Sequence, residues 1–292
     1  MNDYIETGAR RSTPGDAYRE KQQQAIRFME EISLNAWPSY MSELYDGWLI
    51  RFSHNYTYRT NSVEQVGPSS IPVEDKIRYC EGIYEDLHSP SSFKINPLLD
   101  PSFDQRLARR GYEVRHITEV MTCALTEVNL LREEKRDYLF ENRLGIPSVI
   151  HYAGGLAVQM SDVITDEWIR GLFHLNGTHD PTLRRIVPSM YHAIPKQTLT
   201  AAIEIDGRMV ASGLGIRDRD YIGIYAIYVS PSCWRRGYAR AICSSLLSVG
   251  RLLGAERSYL QVVKGNQNAR RLYESLGFSD FYTYWFRSKP YR

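Results

Sequence analysis

Residues 222–253 read IGIYAIYVSPSCWRRGYARAICSSLLSVGRLL and predict a strand, a loop and a helix, in that order. The strand is predicted over residues 222–229, because this run is apolar and aromatic. The helix is predicted over residues 237–253, and we expect it to bury one face on a sheet. Its apolar residues recur at i, i+4, i+7 and i+11: Ile242, Leu246, Val249 and Leu253.

The loop before this helix has the features of a phosphate site. A strand that leads through a glycine-containing loop into a helix leaves several backbone N–H groups without partners, and these groups point at one spot. The helix dipole adds to the attraction for a pyrophosphate. Gly237 and Ala239 have small side chains, which let phosphate oxygens approach the backbone. Positive charge around this spot comes from Arg235, Arg236 and Arg240.

The sequence Arg-Arg-Gly-Tyr occurs twice, at 109–112 and at 235–238, so the four residues alone decide nothing. In the first copy the glycine follows a predicted helix and precedes a strand, which is typical of a helix-ending glycine. In the second copy the glycine follows a strand and precedes a helix, which is the context of an anion site. We therefore interpret only the second copy as phosphate-binding.

Two blocks of this region resemble the GNAT superfamily of N-acetyltransferases. Val229 and Pro231, followed by 235–239, resemble the pyrophosphate loop of that superfamily, and residues 266–278 resemble its second signature. The resemblance covers roughly residues 155–290. It implies an α/β fold in which a mixed, mostly antiparallel sheet is flanked by helices, and it implies acetyl-CoA as co-substrate.

The resemblance also implies where acetyl-CoA binds. Its pantetheine arm would lie along Ile227, Tyr228 and Val229 like an added strand, and a backbone N–H there would polarise the thioester carbonyl. Asn266 is a candidate hydrogen-bond partner of the cofactor, with a helix cap as its structural alternative. The pyrophosphate would contact the loop and the first helical turn, which comprise Arg235, Arg236, Gly237, Tyr238, Ala239 and Arg240.

Tyr273 matches the position at which the family commonly uses a tyrosine to protonate the departing thiolate. A phenol with a pKa of about 10 can protonate a thiolate whose conjugate acid has a pKa of about 8.5, although the transfer is slightly uphill. The alternative is a core tyrosine. Its apolar neighbours at helical spacing favour that alternative: Ala269, Leu272 and Leu276.

The general base is less well defined. Many family members carry a glutamate at the position that matches Gly223, and a glycine cannot accept the proton. Without an obvious base, an amine of low pKa is the easier acceptor, since a peptide α-amine is neutral far more often at pH 7 than a lysine amine. Other candidates are Glu204, Asp218 and Asp220, or a water chain ordered by Tyr225 and Tyr228.

A second departure from the family pattern is Trp234, where the family usually has glutamine or arginine. Since the loop would bind phosphate mainly through backbone N–H groups, we expect Trp234 to change local packing rather than to abolish binding.

The N-terminal half resembles a degenerate second copy of the same fold. Residues 103–114 repeat the order helix, glycine, aromatic residue and strand that 269–281 also show, but no phosphate loop precedes them. We predict a two-domain chain that resembles tandem members of the superfamily. Its segments are a flexible tail (1–19), a degenerate GNAT-like domain (20–128), a connecting segment (129–154) and a catalytic GNAT domain (155–292).

Composition limits the partners. Among 292 residues the formal net charge is +2, which is too small to suggest nucleic acid or a membrane surface. No apolar run reaches the roughly 18 residues of a membrane helix, and no signal peptide is recognisable. The four cysteines are scattered and no metal-ligand spacing is present, so we expect no metal and a cytoplasmic location. A monomer and a homodimer are both compatible with this sequence.

The resulting functional hypothesis is direct transfer of acetyl from acetyl-CoA to a primary amine, without a metal or a covalent enzyme intermediate. The acceptor would be a small molecule or a peptide N-terminus, so antibiotic or peptide modification is included. The first alternative is a non-catalytic module that binds acyl-CoA as a sensor or scaffold. The second alternative is a nucleotide-binding protein that uses this loop for ATP, but the sequence lacks the Gly-Lys-Ser/Thr ending of a P-loop.

Overall fold

The computed structural model of the protein describes residues 14–125 and 144–291, which form an α/β fold. Within these ranges the helices are α1 (Pro14–Ala36), α2 (Val73–Asp86), α3 (Pro101–Arg109), α4 (Asp166–Asn176), α5 (Pro181–His192), α6 (Tyr238–Leu252) and α7 (Gln267–Ser275). The strands are β1 (Met41–Tyr45), β2 (Trp48–Phe52), β3 (Val63–Gln65), β4 (Ser91–Ile95), β5 (Glu113–Ala124), β6 (Val149–His151), β7 (Ala157–Ser161), β8 (Gln197–Ile205), β9 (Arg208–Asp218), β10 (Tyr221–Val229), β11 (Arg257–Val263) and β12 (Ser279–Lys289).

All of these strands belong to one sheet, in the order β1-β2-β3-β4-β12-β5-β11-β10-β9-β8-β7-β6. The pairs β3–β4 and β10–β11 are parallel, and the other neighbours are antiparallel. This mixed sheet with flanking helices confirms the predicted α/β fold class. The sequence led us to expect one sheet in each half, and the structure joins the two into a single continuous sheet.

The junction of the two halves is an exchange of strands. Strand β5, from the N-terminal half, lies between β12 and β11 and pairs with both. Strand β12, from the C-terminal end, lies between β5 and β4. Each half therefore supplies a strand to the hydrogen-bonded interior of the other. The domain boundaries proposed from the sequence remain a prediction, although a cut between 128 and 155 would separate strands that pair with each other.

Helix α6 is buried on more than the one face that its periodicity predicts. Every residue from Ala241 to Gly250 is buried. The sheet covers one side, and residues just before β7 cover part of the other, where the Tyr152 hydroxyl donates to the Ala241 carbonyl oxygen over 3.1 Å. The first turn of α6 is less deeply buried, so it can still meet a ligand.

Several elements differ from the sequence-based expectation. Helix α1 begins at Pro14, inside the predicted tail, and the rest of that tail lies outside the described residues. The predicted connecting segment contains β6, and its part before residue 144 is also undescribed. The prolines at 181, 188 and 195 predict a loop-rich stretch over residues 176–198, yet α5 forms there. Pro181 is tolerated at its first turn, and the Asp180 side chain accepts from the Leu183 amide as an N-cap.

The N-terminal hairpin was assigned to the wrong residues. The strand-like runs 48–52 and 56–63 predict a hairpin through His54 and Asn55, but β2 pairs with β1 and the turn contains Asp46 and Gly47. Residues 58–60 form a 3₁₀ turn rather than a strand. This turn carries a residue of the pocket described below. No helix of the described ranges has both the length and the apolarity to cross a membrane.

Because of the strand exchange, we expect residues 155–292 alone not to fold. In that fragment β12 would lose both of its neighbours, and β11 would lose β5. Near-ultraviolet circular dichroism and urea titration of the purified fragment should show no cooperative transition. Co-expression of residues 1–143 with residues 144–292 should restore the folded state. A cooperative transition of the isolated fragment would contradict the interlocked fold.

Candidate active site

The site begins where β10 separates from β11. Their parallel pairing runs from Tyr221 to Ile224 on β10, and no further pairs follow, although β10 continues to Val229 and β11 to Val263. The last part of β10 therefore has a free edge toward β11. A pantetheine amide chain could extend this edge by forming backbone hydrogen bonds, as a short strand would.

A β-bulge sits at this separation. Tyr225 pairs with Leu214 and Tyr228 pairs with Ser212, so two residues of β10 oppose one residue of β9. Ala226 has a φ of +50°, which is uncommon for a residue other than glycine. The Ser212 hydroxyl donates to the Ala226 carbonyl oxygen over 3.0 Å and holds the bulge in place. A bulge re-aims side chains and amides, which suits a site where a carbonyl must be polarised.

The phosphate loop follows β10 directly. Arg235 and Gly237 have φ values of +60° and +81°, and left-handed residues near right-handed ones turn successive N–H groups toward a common point. Gly237 is the N-cap of α6 and has no side chain to cap the helix. Among the described residues, the N–H groups of Tyr238, Ala239 and Arg240 have no acceptor. The sequence prediction of unpaired amides at this position is confirmed.

The charged and aromatic side chains of the loop are exposed, as a phosphate site requires. Arg235 and Arg236 are exposed, and Arg240 donates to the Ser275 hydroxyl over 2.6 Å, which ties α6 to α7. Trp234 is 64% exposed, and its indole N–H donates to the Val229 carbonyl oxygen over 2.8 Å. Trp234 therefore fastens the loop to the end of β10 and leaves the backbone amides open.

Helix α7 supplies the two remaining predicted residues. Asn266 is its N-cap, and its side-chain oxygen accepts from the Ala269 amide over 3.2 Å, so the structural alternative holds for this oxygen. Tyr273 is 9% exposed and its ring packs on Phe278 with centroids 6.1 Å apart. In the part of the chain that the structure describes, the Tyr273 hydroxyl has no hydrogen-bond partner. Tyr273 is therefore a core residue whose hydroxyl is not engaged by another described group.

Burial sets the protonation of Tyr273. Desolvation raises the pKa of its phenol, and the neighbouring Cys243 and Tyr228 raise it further. The phenol therefore stays protonated throughout the neutral and mildly alkaline range. A group that must donate a proton to a thiolate needs to be in this state.

A pocket of about 80 Å³ lies beside the bulge. Several ordered waters would fit in this volume, since one water needs roughly 10–15 Å³ of such space. The walls come from both halves of the chain and include α5. The pocket is lined by Trp37, Tyr56, Thr57, Arg59, Asn176, Tyr191, Leu214, Tyr225, Ala226 and Tyr228. This pocket is therefore the candidate for the acceptor side of the site.

The carboxylates suggested by the sequence are not at this pocket. Asp218 pairs with Tyr221 at the far end of β10, so a strand distance on the order of 16 Å separates it from Ala226. Asp218 also forms an ion pair with Lys196 over 3.0 Å. Glu204 is exposed on β8, two strands from β10. Neither residue lines the pocket, and Asp220 precedes the first residue of β10 and does not line it either.

Two tyrosines fill the space in which the family's glutamate would lie. A Cβ atom on Gly223 would meet the Tyr225 and Tyr259 rings at 2.6 Å, well inside contact distance. The hydroxyls of these two tyrosines are 2.7 Å apart and hydrogen-bonded. Burial raises the pKa of Tyr225 to about 12, so it does not serve as a base near neutral pH. The packing of these two tyrosines thus leaves no space for a glutamate side chain at position 223.

The pocket contains residues that the sequence analysis missed or did not place. Arg59, Tyr56 and Tyr191 received no role, because their contribution depends on contacts between distant segments. The sequence gives one signal for this region, because the resemblance to the GNAT fold implies that the loop-rich residues 171–198 lie over the acceptor cleft. Asn176 and Tyr191 from that region line the pocket, whereas its histidines are exposed and do not: His174, His179 and His192.

Comparison with known proteins agrees with this geometry. Residues 164–278 match the acetyltransferase (GNAT) family. The matched region contains the bulge, the phosphate loop and Tyr273. The C-terminal region of the chain is therefore similar in sequence to the acetyltransferase (GNAT) family, which supports an acetyltransferase activity.

Relatives extend the likeness over the whole chain. The protein is 24% identical over 271 residues to YobR, an uncharacterized N-acetyltransferase of Bacillus subtilis (strain 168), with 90% of this chain and 98% of YobR covered. A GCN5-related N-acetyltransferase from Kribbella flavida has a similar fold, with a TM-score of 0.56, 16% identity, and 95% and 97% coverage. A tandem GNAT protein from the clavulanic acid biosynthesis pathway gives a TM-score of 0.53, 12% identity, and 78% and 75% coverage.

The packing at Gly223 predicts that restoring the family's residue is harmful. Gly223→Glu should lower the free energy of unfolding by about 1–3 kcal/mol through overpacking, without raising activity. The matched control is Gly82→Glu, because Gly82 is exposed on α2 and a Cβ there would meet nothing within 4 Å. Urea denaturation measures both variants, and equal stability of the two would contradict this packing.

Proposed function

We propose that the protein transfers the acetyl group of acetyl-CoA directly to the primary amine of a small acceptor. The observation that carries the proposal is the continuity of three features along β10 and α6. The free strand edge can hold pantetheine, the unpaired amides at the start of α6 can hold pyrophosphate, and the pocket at the bulge can hold an amine. The N-acetyltransferase relatives support the same reaction class.

The proposed cofactor contacts follow the sequence prediction. Ile227, Tyr228 and Val229 would bind the pantetheine arm through their backbone. The N–H groups of 237–240, with Arg235 and Arg236 nearby, would bind the pyrophosphate. Each N–H to an anionic oxygen is a charge-assisted hydrogen bond, which is stronger than a neutral one. Asn266 would contribute through its amide nitrogen, since its oxygen caps α7.

The proposed chemistry is a direct displacement. The amine lone pair attacks the thioester carbonyl carbon, whose oxygen is polarised by a backbone N–H near the bulge. As the C–N bond forms, the C–S bond breaks and the thiolate takes the Tyr273 proton. The excess proton on nitrogen leaves to solvent, and Tyr273 recovers a proton from solvent. The products are an N-acetyl amine and CoA, and no covalent enzyme intermediate forms.

The lack of a carboxylate at the described pocket determines which form of the amine reacts. No side chain there has a pKa suited to removing a proton from an ammonium near pH 7, so the amine must react from its neutral form. An acceptor whose amine pKa is close to neutral is therefore favoured, since more of it is neutral at pH 7. The alternative function, an acyl-CoA sensor, would use the same cofactor contacts without the acceptor pocket or Tyr273.

The cofactor site can be tested by thermal unfolding with acetyl-CoA, CoA and ATP. At about one hundred times its dissociation constant, a ligand of the folded state adds about 2.7 kcal/mol, or several degrees in Tm. We expect this shift with both CoA species and not with ATP, and we expect Gly237→Glu to abolish it by placing a carboxylate at the pyrophosphate position.

The matched control is Gly111→Glu. Gly111 lies in the other copy of Arg-Arg-Gly-Tyr, has a φ of +85°, and, like Gly237, has open space around its Cβ position. The substitution should therefore cause similar backbone strain while leaving the acetyl-CoA shift intact. Stabilisation by ATP alone, or loss of the shift in both variants, would count against the proposed site.

The proton donor can be tested with Tyr273→Phe and a pH–rate profile. We expect kcat to fall about 10²–10⁴-fold while the acetyl-CoA shift in Tm is retained. In the wild type, kcat/KM should rise with pH up to the pKa of the acceptor amine. It should not decline below about pH 10, because burial keeps the Tyr273 phenol protonated. A rising limb at acidic pH that is independent of the acceptor would reveal an enzyme carboxylate and contradict the mechanism.

A further inference from the structure

Arg59 reaches the acceptor pocket from the 3₁₀ turn at Tyr58–Thr60. The turn is held by Asn61, whose side-chain oxygen accepts from the Ser53 amide over 2.8 Å and from the Asn55 amide over 2.9 Å. The Asn61 side-chain N–H donates to the Thr57 carbonyl oxygen over 2.7 Å. Arg59 therefore extends from a fixed support and not from a loose surface loop.

The charge of Arg59 has no carboxylate partner among the described residues. One guanidinium nitrogen donates to the Gln261 side-chain oxygen over 2.9 Å, and the Tyr284 hydroxyl lies within hydrogen-bonding reach. Both partners are neutral. Gln261 is itself fixed, since its oxygen also accepts from the Tyr284 hydroxyl over 2.6 Å. The remaining donors of Arg59 have no acceptor in the described parts of the chain.

Other cations in the N-terminal half differ in this respect. Arg51 pairs with Glu64 over 3.1 Å, Lys94 pairs with Glu30 over 2.9 Å, and Lys76 pairs with Asp46 over 3.2 Å. These three cations are fully buried, and each has an anion beside it. Burial of a charge is costly unless it is paired, so a half-buried arginine among apolar and aromatic groups is an arrangement that needs an anion.

The groups around Arg59 do not supply that anion. Tyr56, Tyr191, Tyr225 and Tyr228 are the titratable side chains that share the pocket with it. Burial raises the pKa of each of these phenols, so all four are neutral at physiological pH. The pocket thus combines one fixed positive charge with neutral hydroxyl groups and aromatic faces.

We infer that Arg59 binds a carboxylate of the acceptor, which makes the acceptor a small amino acid or a similar amine that carries a carboxylate. This inference rests on the proposed function. A planar guanidinium can donate two parallel hydrogen bonds to a carboxylate, which fixes both position and orientation. The pocket volume of about 80 Å³ suits a group of this size. With the carboxylate on Arg59, the amine would point along the pocket toward Ala226 and the thioester.

The inference also accounts for how an amine enters a positively charged pocket. A simple ammonium ion would be repelled by Arg59, whereas a zwitterion brings its own compensating charge. The carboxylate bound to Arg59 offsets most of the positive field, so the pocket favours the neutral, reactive form of the amine mainly through desolvation by its aromatic side chains. Arg59 therefore accounts for recognition of the carboxylate, and the aromatic walls of the pocket account for activation of the amine.

The experiment compares matched acceptors with wild type and three variants of the full chain. A panel of L-amino acids is paired with the decarboxylated amine of each, and aminoalkylphosphonates form a third arm. We expect wild type to prefer at least one amino acid over its amine by roughly 10²-fold in kcat/KM, in keeping with a charge-assisted contact. Arg59→Gln should remove that preference, and Arg59→Lys should retain part of it.

The third variant is Arg219→Gln, which removes an exposed arginine that pairs with Glu31, outside the pocket, and should leave the preference unchanged. Retention of the acetyl-CoA shift in Tm shows that Arg59→Gln is folded. A wild-type preference for decarboxylated amines or for phosphonates, or an unchanged preference in Arg59→Gln, would overturn the inference and leave the acetyltransferase function standing.

Failure of the function itself has a different signature. If wild type binds acetyl-CoA but acetylates no member of the panel, the proposed reaction on small amines is wrong. Calorimetry with N-acetyl amino acids in the presence of CoA then decides the role of Arg59 independently of turnover. Binding that weakens at least tenfold in Arg59→Gln supports carboxylate recognition, and equal or undetectable binding in both proteins rejects it.

Discussion

Strand β5 makes backbone hydrogen bonds along both edges to strands from the other half of the chain, and the active site depends on this pairing. β11 lies against β5 and is therefore fixed relative to the N-terminal half. Gln261 on β11 can then meet Arg59 from the turn at 58–60. A hydrogen-bonded ladder tolerates little slippage, because a shift of one residue would move every side chain to the opposite face. Through this ladder, a half without a phosphate loop forms part of the pocket beside the bulge.

The second constraint is the end of pairing between β10 and β11 after Ile224. Up to that point the two strands form an ordinary parallel pair, and beyond it both have free edges. The bulge at Ala226, fastened by Ser212, keeps β10 attached to β9 while its other edge stays open. A free edge is usually a liability for a protein. Here it leads directly into the loop whose amides at the start of α6 are also unpaired, so one continuous set of donors is available to a single extended cofactor.

The acceptor side is unusual in its charge. The packing of Tyr225 and Tyr259 excludes a side chain at Gly223 and removes the carboxylate that would serve as a base. Arg59 adds a positive charge instead. In the proposed reaction, an amine bound between these groups would be held in its neutral form by its surroundings and not by transfer of its proton to the enzyme. In this proposal, the choice of acceptor and the loss of its proton are linked, because both depend on the electrostatic environment inside the pocket.

The sequence by itself determined the strand, the loop and the helix of 222–253 and the unpaired amides at the start of α6, since these depend on local periodicity and on neighbouring residues. The role of Tyr273 was inferred from the family resemblance, and it stays a prediction. The pattern of residues 56–63 predicts a strand where the structure has a 3₁₀ turn at 58–60. The prolines at 181 and 188 predict a loop, but the Asp180 cap and tertiary packing favour helix α5. Only the tertiary structure decided that Arg59, Tyr56 and Tyr191 share one pocket. These side chains come from segments far apart in the chain, and a local pattern contains no information about which distant strands will pair.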